Sequence, residues 1–490
     1  MQDLKNKAIR GGSVRLCTQV AMLLMRVGSV AILARLLDPT DFGLANMVTA
    51  LTGVLGLFRD FGLSAAMVQR ATITEEETSA LFWVNIAVGV VLTVFTMGCA
   101  PLVTAFYSQS HVFWLTIVAA TGFIFNAAGV QHSALLQRQM RFTALALIDL
   151  CSLIGANLVA ILMALAGCGY WALIATTVCL PLFGTIGVWC VARWLPGRPR
   201  HCPNLRSLIR FGGTLTLNGL IMYVSANLEK VLIGRVWGAE AIGVYGRACQ
   251  LNKIPIDGLN SAVGQVAFSA LSRLRDDPAR FRSYFLKGYS LVLSSNILVT
   301  IVCVLFAEDI IRILLGPKWT DAAAILRLLA PTILVYAMQS PLGWLLESLG
   351  LVARGLKMAL VFAPLVIGAI FAGLPFGPQG VALAYSAMMM LWVVPVVAWA
   401  VHGTPISFRD VMTTFAQPFL SGLVAVGLVL VLRLWLGSSL TILPRILLEG
   451  TALLGSYGAM LWYVMGQKTF YLSVLRVLGG RSSVTALSSQ

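Results

Sequence analysis

The side chains best placed to do chemistry in this chain are charges set inside long apolar runs or at their very ends: Arg15, Arg26, Arg59, Asp60, Asp149, Glu229, Lys230, Arg247, Lys253, Asp257, Arg327 and Glu347. A charge at the centre of a bilayer costs at least about 2.5–3.5 kcal/mol on insertion scales, so such residues persist where they face water, pair, or reach an interface. Arg26 is the sharpest case. It lies between VAMLLM and VGSVAIL, and reads either as an ion-paired or hydrogen-bonded structural arginine or as a cation lining a cavity. Arg59 and Asp60 interrupt GLF and FGL late in the second run, which suits pairing at a helix end. Arg15 is placed to snorkel to the interface. Glu229 and Lys230 are neighbours and point to different faces of one helix, so one of them at most faces a central cavity. Lys253 and Asp257 are four apart and share a face, with Pro255 between them to kink the helix. Asp149 is the lone acid of its run. It reads as a proton-coupling carboxyl or as a structural acid bonded to a neighbouring serine or to backbone. Cations slightly outnumber acids in the set, which suits an anionic head group such as a pyrophosphate.

The elements that must carry these residues are membrane helices. Hydrophobic residues make up 58% of the chain and charged residues 11%, with a mean hydropathy of +0.87. That much apolar surface exceeds what one or two soluble cores could bury. Each span needs roughly 20 apolar residues, and the chain supplies about fourteen such runs. They are predicted at 14–37, 42–68, 79–106, 111–136, 142–166, 170–194, 209–234, 240–270, 284–307, 322–346, 355–374, 378–401, 411–434 and 445–466. Helices are the expected form, because lipid offers the backbone no hydrogen-bond partners.

The loops sort by charge. With the N-terminus inside, the cytoplasmic loops carry Arg70, then Arg138 and Arg141, then Arg193, Arg198, Arg200, Arg206 and Arg210. Further inside loops hold Arg273, Arg275, Arg280, Arg282 and Lys287, then Arg354 and Lys357, Arg409, and Lys468, Arg476 and Arg481. The outside turns DPTD, YSQSH, GCG and GPQG are poor in charge, with Arg35, Arg235, Arg312, Lys318, Arg433 and Arg445 as exceptions. An even span count places both termini of this multi-pass protein in the cytoplasm. The net charge of +16 is thereby read as a topology signal, with attraction to anionic lipid, and not as a nucleic-acid surface. The triad Glu75, Glu76 and Glu77 reads as the acidic first turn of a helix.

Several chemistries have no footing. The chain has no GxxxxGK[ST] phosphate loop, no HExxH and no GxSxG. Its four histidines are far apart, and its nine cysteines form no CxxC pair. Transport is expected in place of catalysis, with no cofactor and no metal.

Two echoes suggest an internal repeat. ILARLLDPTDFGLA (32–45) and LIGRVWGAEAIGVY (232–245) align at an offset of 200, matching Arg35 with Arg235 and Gly43 with Gly243. GYWALI (169–174) echoes GVALAY (380–385) more weakly. Both pairs sit at equivalent topological positions. The expected domains are a six-helix lobe at 1–194, a basic Pro-rich cytoplasmic linker at 195–208, a second six-helix lobe at 209–402, and two additional helices with a tail at 403–490. Two parallel repeats imply an axis along the membrane normal with a central cavity between them.

The stretch LARLLDPTDFGLANMVTALTGVLGLFRDFGLSAAMVQR (33–70) resembles the polysaccharide transporter family of the multidrug/oligosaccharidyl-lipid/polysaccharide flippase superfamily, of the colanic-acid and succinoglycan exporter type. FWVN at 82–85, LLQRQMRF at 135–142 and LGPKWTDAAAILRLLAP at 315–331 carry the same likeness, which weakens past about residue 400. The resemblance implies two six-helix bundles around a central cavity, alternating access, and transfer of polyprenyl-pyrophosphate-linked oligosaccharide repeat units to the outer leaflet. It implies membrane lipids, a polysaccharide polymerase and a co-polymerase as partners. It also implies basic cavity residues that attract the substrate phosphates, with Arg26 first, then Lys230 and Lys253. Two relatives of the same superfamily are the alternatives. A peptidoglycan lipid-precursor flippase shares fourteen spans, whereas a multidrug cation antiporter has twelve and a more acidic cavity. A membrane-embedded polymerase or glycosyltransferase would need a large outer loop, and every predicted outer loop here is short.

Overall fold

The computed structural model describes residues 21–59, 67, 74–198, 205–436 and 442–464. Every regular element among them is a helix. In chain order these are α1 (21–36), α2 (Pro39–Gly56), α3 (Glu75–Tyr107), α4 (His111–Arg138), α5 (Phe142–Leu165) and α6 (Trp171–Ala192). A long run, Leu205–Arg273, breaks at Gly238 (φ 82°, ψ −173°); its two parts are α7 and α8. Then come α9 (Pro278–Leu305), α10 (Ala307–Leu314), α11 (Thr320–Leu329), α12 (Pro331–Ser348), α13 (Val352–Gly373), α14 (Gly377–Val401), α15 (Phe408–Leu436) and α16 (Ile442–Ala459).

Local chemistry sets the helix starts. Pro39 opens α2, and the Asp41 carboxylate accepts the Asp38 N–H at 3.1 Å. Thr74 and Glu77 cap α3 reciprocally, at 3.2 and 3.1 Å, with the three glutamates in its first turn as expected. Ser407 and Asp410 cap α15 the same way, at 3.2 and 3.0 Å.

Seven of the described helical runs are long and apolar enough to cross a membrane, or eight if the bent pair across Pro331 is one span. The all-helical membrane architecture is therefore as expected. The number of runs that pass is lower than the fourteen predicted, for physical reasons. The start of α1 lies outside the described residues. Helix α2 spends positions on Asp41, Asn46 and three threonines, and α7–α8 carry Glu229, Lys230, Arg235, Glu240, Arg247 and Lys253. Helices α13 and α14 run together through a short 3-10 turn and count once.

The chain divides into two compact units. The first holds the chain to Arg247 together with 311–322 and 370–381. Its bundle of α3, α4, α5 and α6 packs through small residues: Gly89 lies against Ala127, and α5 buries Ile148, Ser152, Ala156, Ala160 and Ala164 at a spacing of four. The start of the basic loop after α6 is fastened to this bundle. Trp83 donates to Gly197 O at 2.8 Å, Gly197 N–H to Ser79 Oγ at 3.0 Å, and His132 Nε2 stands 3.1 Å from Trp194 O. His132 also stacks on Trp189, at 4.4 Å.

The second unit holds 248–310, 323–369 and 382 onward. One continuous apolar core joins α9, α12, α14, α15 and α16 around Tyr289, Leu293, Met338, Val397 and Tyr457. Two of the cations that broke the charge rule work here. Arg433 bonds buried Glu449 at 2.8 Å and lies 5.3 Å from the Phe306 ring. Arg445 bonds Asp309 at 2.5 Å.

Candidate functional site

The two stretches that align at an offset of 200 meet in the first unit. Gly43, in the first turns of α2, faces the backbone of Ala239, and Gly243, in the first turns of α8, faces the backbone of Pro39. A Cβ on either glycine would collide with the opposing carbonyl oxygen. The contact is reciprocal at the same offset of 200 that relates the two sequences, so it maps onto itself when the copies are exchanged. Asn46 Nδ2 donates across it to Ile242 O at 3.3 Å. Glycine at both positions is needed for helices to cross this closely.

Side chains extend this crossing. Arg35 donates to Ile313 O at 2.6 Å, Trp319 Nε1 to Ala34 O at 2.8 Å, and Lys318 bonds Asp38 at 2.7 Å. The buried Trp319 ring meets Phe42 edge-on at 5.2 Å. On the other copy, Arg235 lies 5.8 Å from the Phe106 ring and Trp237 donates to Leu374 O at 2.9 Å. Arg35, Lys318 and Arg235, three further cations on predicted outside turns, are thus packing elements of this crossing.

Next to the crossing lies a buried polar group that the sequence only hints at. Glu229 Oε2 accepts from Tyr245 Oη at 2.8 Å, linking α7 to α8. Arg247 lies over Phe42, its guanidinium carbon 4.1 Å from the ring centroid, a cation–π contact. Arg247 and Glu229 both appear among the intramembrane charges of the sequence. Their aromatic partners, Tyr245 and Phe42, sit at spacings that no single-helix pattern reveals.

The site residues read from the sequence are distributed as follows. Arg26 is exposed on α1, with no ion pair among the described residues. Arg59 is exposed in the turn after α2, which ends at Gly56, sooner than the predicted span to 68. Asp60 and Arg15 lie outside the described residues. Lys230 donates to Asn227 Oδ1 at 3.1 Å on its own helix. Lys253 is half-buried on α8, and the side chain of Asp257 lies outside the described residues, as does therefore the expected Lys253–Asp257 pair. Asp149 lies beside the packed stripe of its helix. It is exposed on α5, one position past Ile148, and a step of about 100° carries it off the packed stripe. Arg26, Arg59, Asp149 and Lys230 belong to the first unit, and Lys253 and Asp257 to the second.

A family model described as polysaccharide biosynthesis protein matches residues 32–324. The lipopolysaccharide biosynthesis protein WzxC of Escherichia coli (strain K12) is 25% identical over 398 residues, 79% of this chain and 80% of that protein. The teichuronic acid biosynthesis protein TuaB of Bacillus subtilis (strain 168) is 28% identical over 355 residues, 71% and 73% of the two chains. The succinoglycan biosynthesis transport protein ExoT of Rhizobium meliloti (strain 1021) is 25% identical over 405 residues, 81% and 78%. Among solved structures, the lipid II flippase MurJ in its inward closed conformation superposes with a TM-score of 0.72 at 14% identity, over 92% of this chain and 99% of that one. An inward-facing multidrug resistance MATE family transporter superposes at 0.62 and 14%, over 82% and 98%. At these identities the two structures show a shared fold. The chain belongs to the polysaccharide biosynthesis protein family and has the fold of the multidrug/oligosaccharidyl-lipid/polysaccharide flippase superfamily.

Proposed function

We propose that the protein moves polyprenyl-pyrophosphate-linked oligosaccharide repeat units across the cytoplasmic membrane for exopolysaccharide biosynthesis, by alternating access. The observation that carries this is the breadth of the match. Relatives named for lipopolysaccharide, teichuronic acid and succinoglycan biosynthesis align over 71–81% of the chain, and one is named a transport protein. A lipid-linked repeat unit is the chemistry those products share. The protein acts as a carrier and not as an enzyme.

Fourteen spans form two parallel six-helix lobes, 1–194 and 209–402, joined by the basic linker 195–208 and followed by two further helices, with both termini inside. The self-matching contact of Gly43 and Gly243 supports descent of the lobes from one repeat. Arg26 is the first candidate to meet the substrate pyrophosphate, because it is exposed and lacks an acid partner among the described residues. Lys230 and Lys253 come next, then Arg59. Asp149, exposed on α5, is the candidate for proton coupling, with Asp257 the second. A polymerase and a co-polymerase are the partners that would take the product outside.

A strain deleted for this gene tests the reading. Secreted polymer should fall and complete lipid-linked units should accumulate, and those units would reveal the sugar. Normal polymer with no accumulation removes this substrate. The likeness of fold to MurJ keeps a peptidoglycan-precursor flippase as the second reading. Accumulation of cell-wall precursor in place of polymer precursor would select it.

A further inference from the structure

Between α5 and α6 the first unit has an open cavity of about 590 Å³. Its walls are apolar or small, including Ala144, Cys151 and Gly155 from α5 and Phe183 and Cys190 from α6. The two helices touch beneath it where Gly187 meets Ile148 and Gly155 meets Phe183, at what would be 2.7 and 2.9 Å from an added Cβ. At one end stands Arg141, the N-cap residue of α5. Its Nη1 donates to Val191 O at 3.3 Å, which draws the guanidinium across the seam toward α6. The side chain is exposed, and its guanidinium carries further N–H donors beyond the one bonded to Val191. None of the lining side chains is acidic.

We propose that an anionic phospholipid of the cytoplasmic leaflet occupies this groove, with its phosphate on Arg141 and one acyl chain between α5 and α6. Three features select that ligand. The mouth combines a fixed arginine with the first turn of a long helix, whose free N–H groups and dipole favour a phosphate. The body is apolar, so the ligand is an amphiphile and not a free anion. The groove runs from Arg141 to Gly155, about 21 Å at 1.5 Å per residue. One leaflet of a hydrocarbon core roughly 30 Å thick is about 15 Å, so the groove takes one acyl chain with its glycerol and headgroup, and a long polyprenyl chain would overrun it. The inference is independent of the transported substrate.

The test uses the full-length protein. Native mass spectrometry with added phosphatidylglycerol should show tighter retention than with phosphatidylcholine. Arg141→Gln should weaken retention roughly fivefold, the effect of one basic residue near an anionic headgroup, and Arg141→Lys should keep most of it. In nanodiscs, phosphatidylglycerol with a diazirine on its acyl chain should label peptides from 142–165 and 171–192. Cys151→Trp, which fills the groove, should reduce that labelling, and Ala144→Phe serves if the first variant fails to fold. Equal retention of the two lipids would overturn the proposal, as would labelling that a well-folded filled variant leaves unchanged. Displacement of phosphatidylglycerol by a polyprenyl phosphate, with labelling of the same peptides, would overturn it too and assign the groove to a polyprenyl lipid.

Discussion

At the scale of single residues, the ion pair of Arg282 and Asp410 joins the starts of α9 and α15, with contacts of 2.6 and 2.8 Å. The Arg282 hydrogen bond, aided by the Ser407 cap, holds the Asp410 carboxyl down at about 2, below its ordinary 3.8. A depressed folded value means the pair stabilises the fold above the ordinary value and loses that effect as pH falls toward 2. Asp410→Asn should therefore lower the melting temperature at pH 6 and approach wild type as the pH drops from about 4 to about 2; a deficit constant with pH would show that the charge is irrelevant. Gly43→Ala makes a different claim. The opposing atom is the Ala239 backbone oxygen, which no side-chain change can withdraw, so the variant should lose roughly 1–3 kcal/mol of stability. Adding Gly243→Ala should cost less than its separate effect, because both strain one contact. Wild-type melting of Gly43→Ala would refute the close crossing. Both glycines were visible in the sequence as an echo, and so was the charge of Arg247. The reason for the glycines, and the stacking of Arg247 on Phe42, depend on a crossing between residues about 200 apart. Asp149 is a residue whose facing the sequence alone does not give. Its lone position in an apolar run marks it as unusual, yet its facing depends on which stripe of α5 packs, and small residues at 152, 156, 160 and 164 decide that.

At the scale of elements, helix ends were largely legible. The predicted run 111–136 is the helix His111–Arg138, 142–166 is Phe142–Leu165, and 378–401 is Gly377–Val401. Hydropathy fixes such long apolar runs, and Ser108 and Gly377 at positive φ end or start them. The predicted run 322–346 is instead two helices bent by 43°, because Pro331 starts a new helix after Ala330. Composition alone cannot separate that from one straight span. The cations at the far ends of α15 and α16 carry a further expectation. Glu449 is 2% exposed, so removing Arg433 leaves a buried charge unpaired. Arg433→Ala should destabilise by roughly 1–3 kcal/mol, and Arg433→Ala with Glu449→Ala by less than the first change alone. Thermal unfolding of both variants reads this, and a double variant worse than Arg433→Ala would exclude the pairing.

At the scale of the whole molecule, a membrane carrier of this family was legible from hydropathy, loop charge and the quoted motifs. A direction of insertion follows from the same charges. A reporter fused after Arg198 should be active only if cytoplasmic, and one fused after Ser108 only if exported; the reverse pattern would invert the topology. A contact that maps onto itself under exchange of two halves is also one that two identical halves would make as a dimer. In such a dimer every change at the seam strikes twice and must suit itself. Once the halves share a chain, each side changes alone. The two sides of the seam differ here: proline at 39 against alanine at 239, phenylalanine at 42 against isoleucine at 242, methionine at 47 against arginine at 247. Arg35 and Arg235 match, and so do the two glycines, where backbone meets backbone. A seam whose sides differ can thus set a cation, Arg247, on one side and a methionine on the other, which a seam between identical halves could not do.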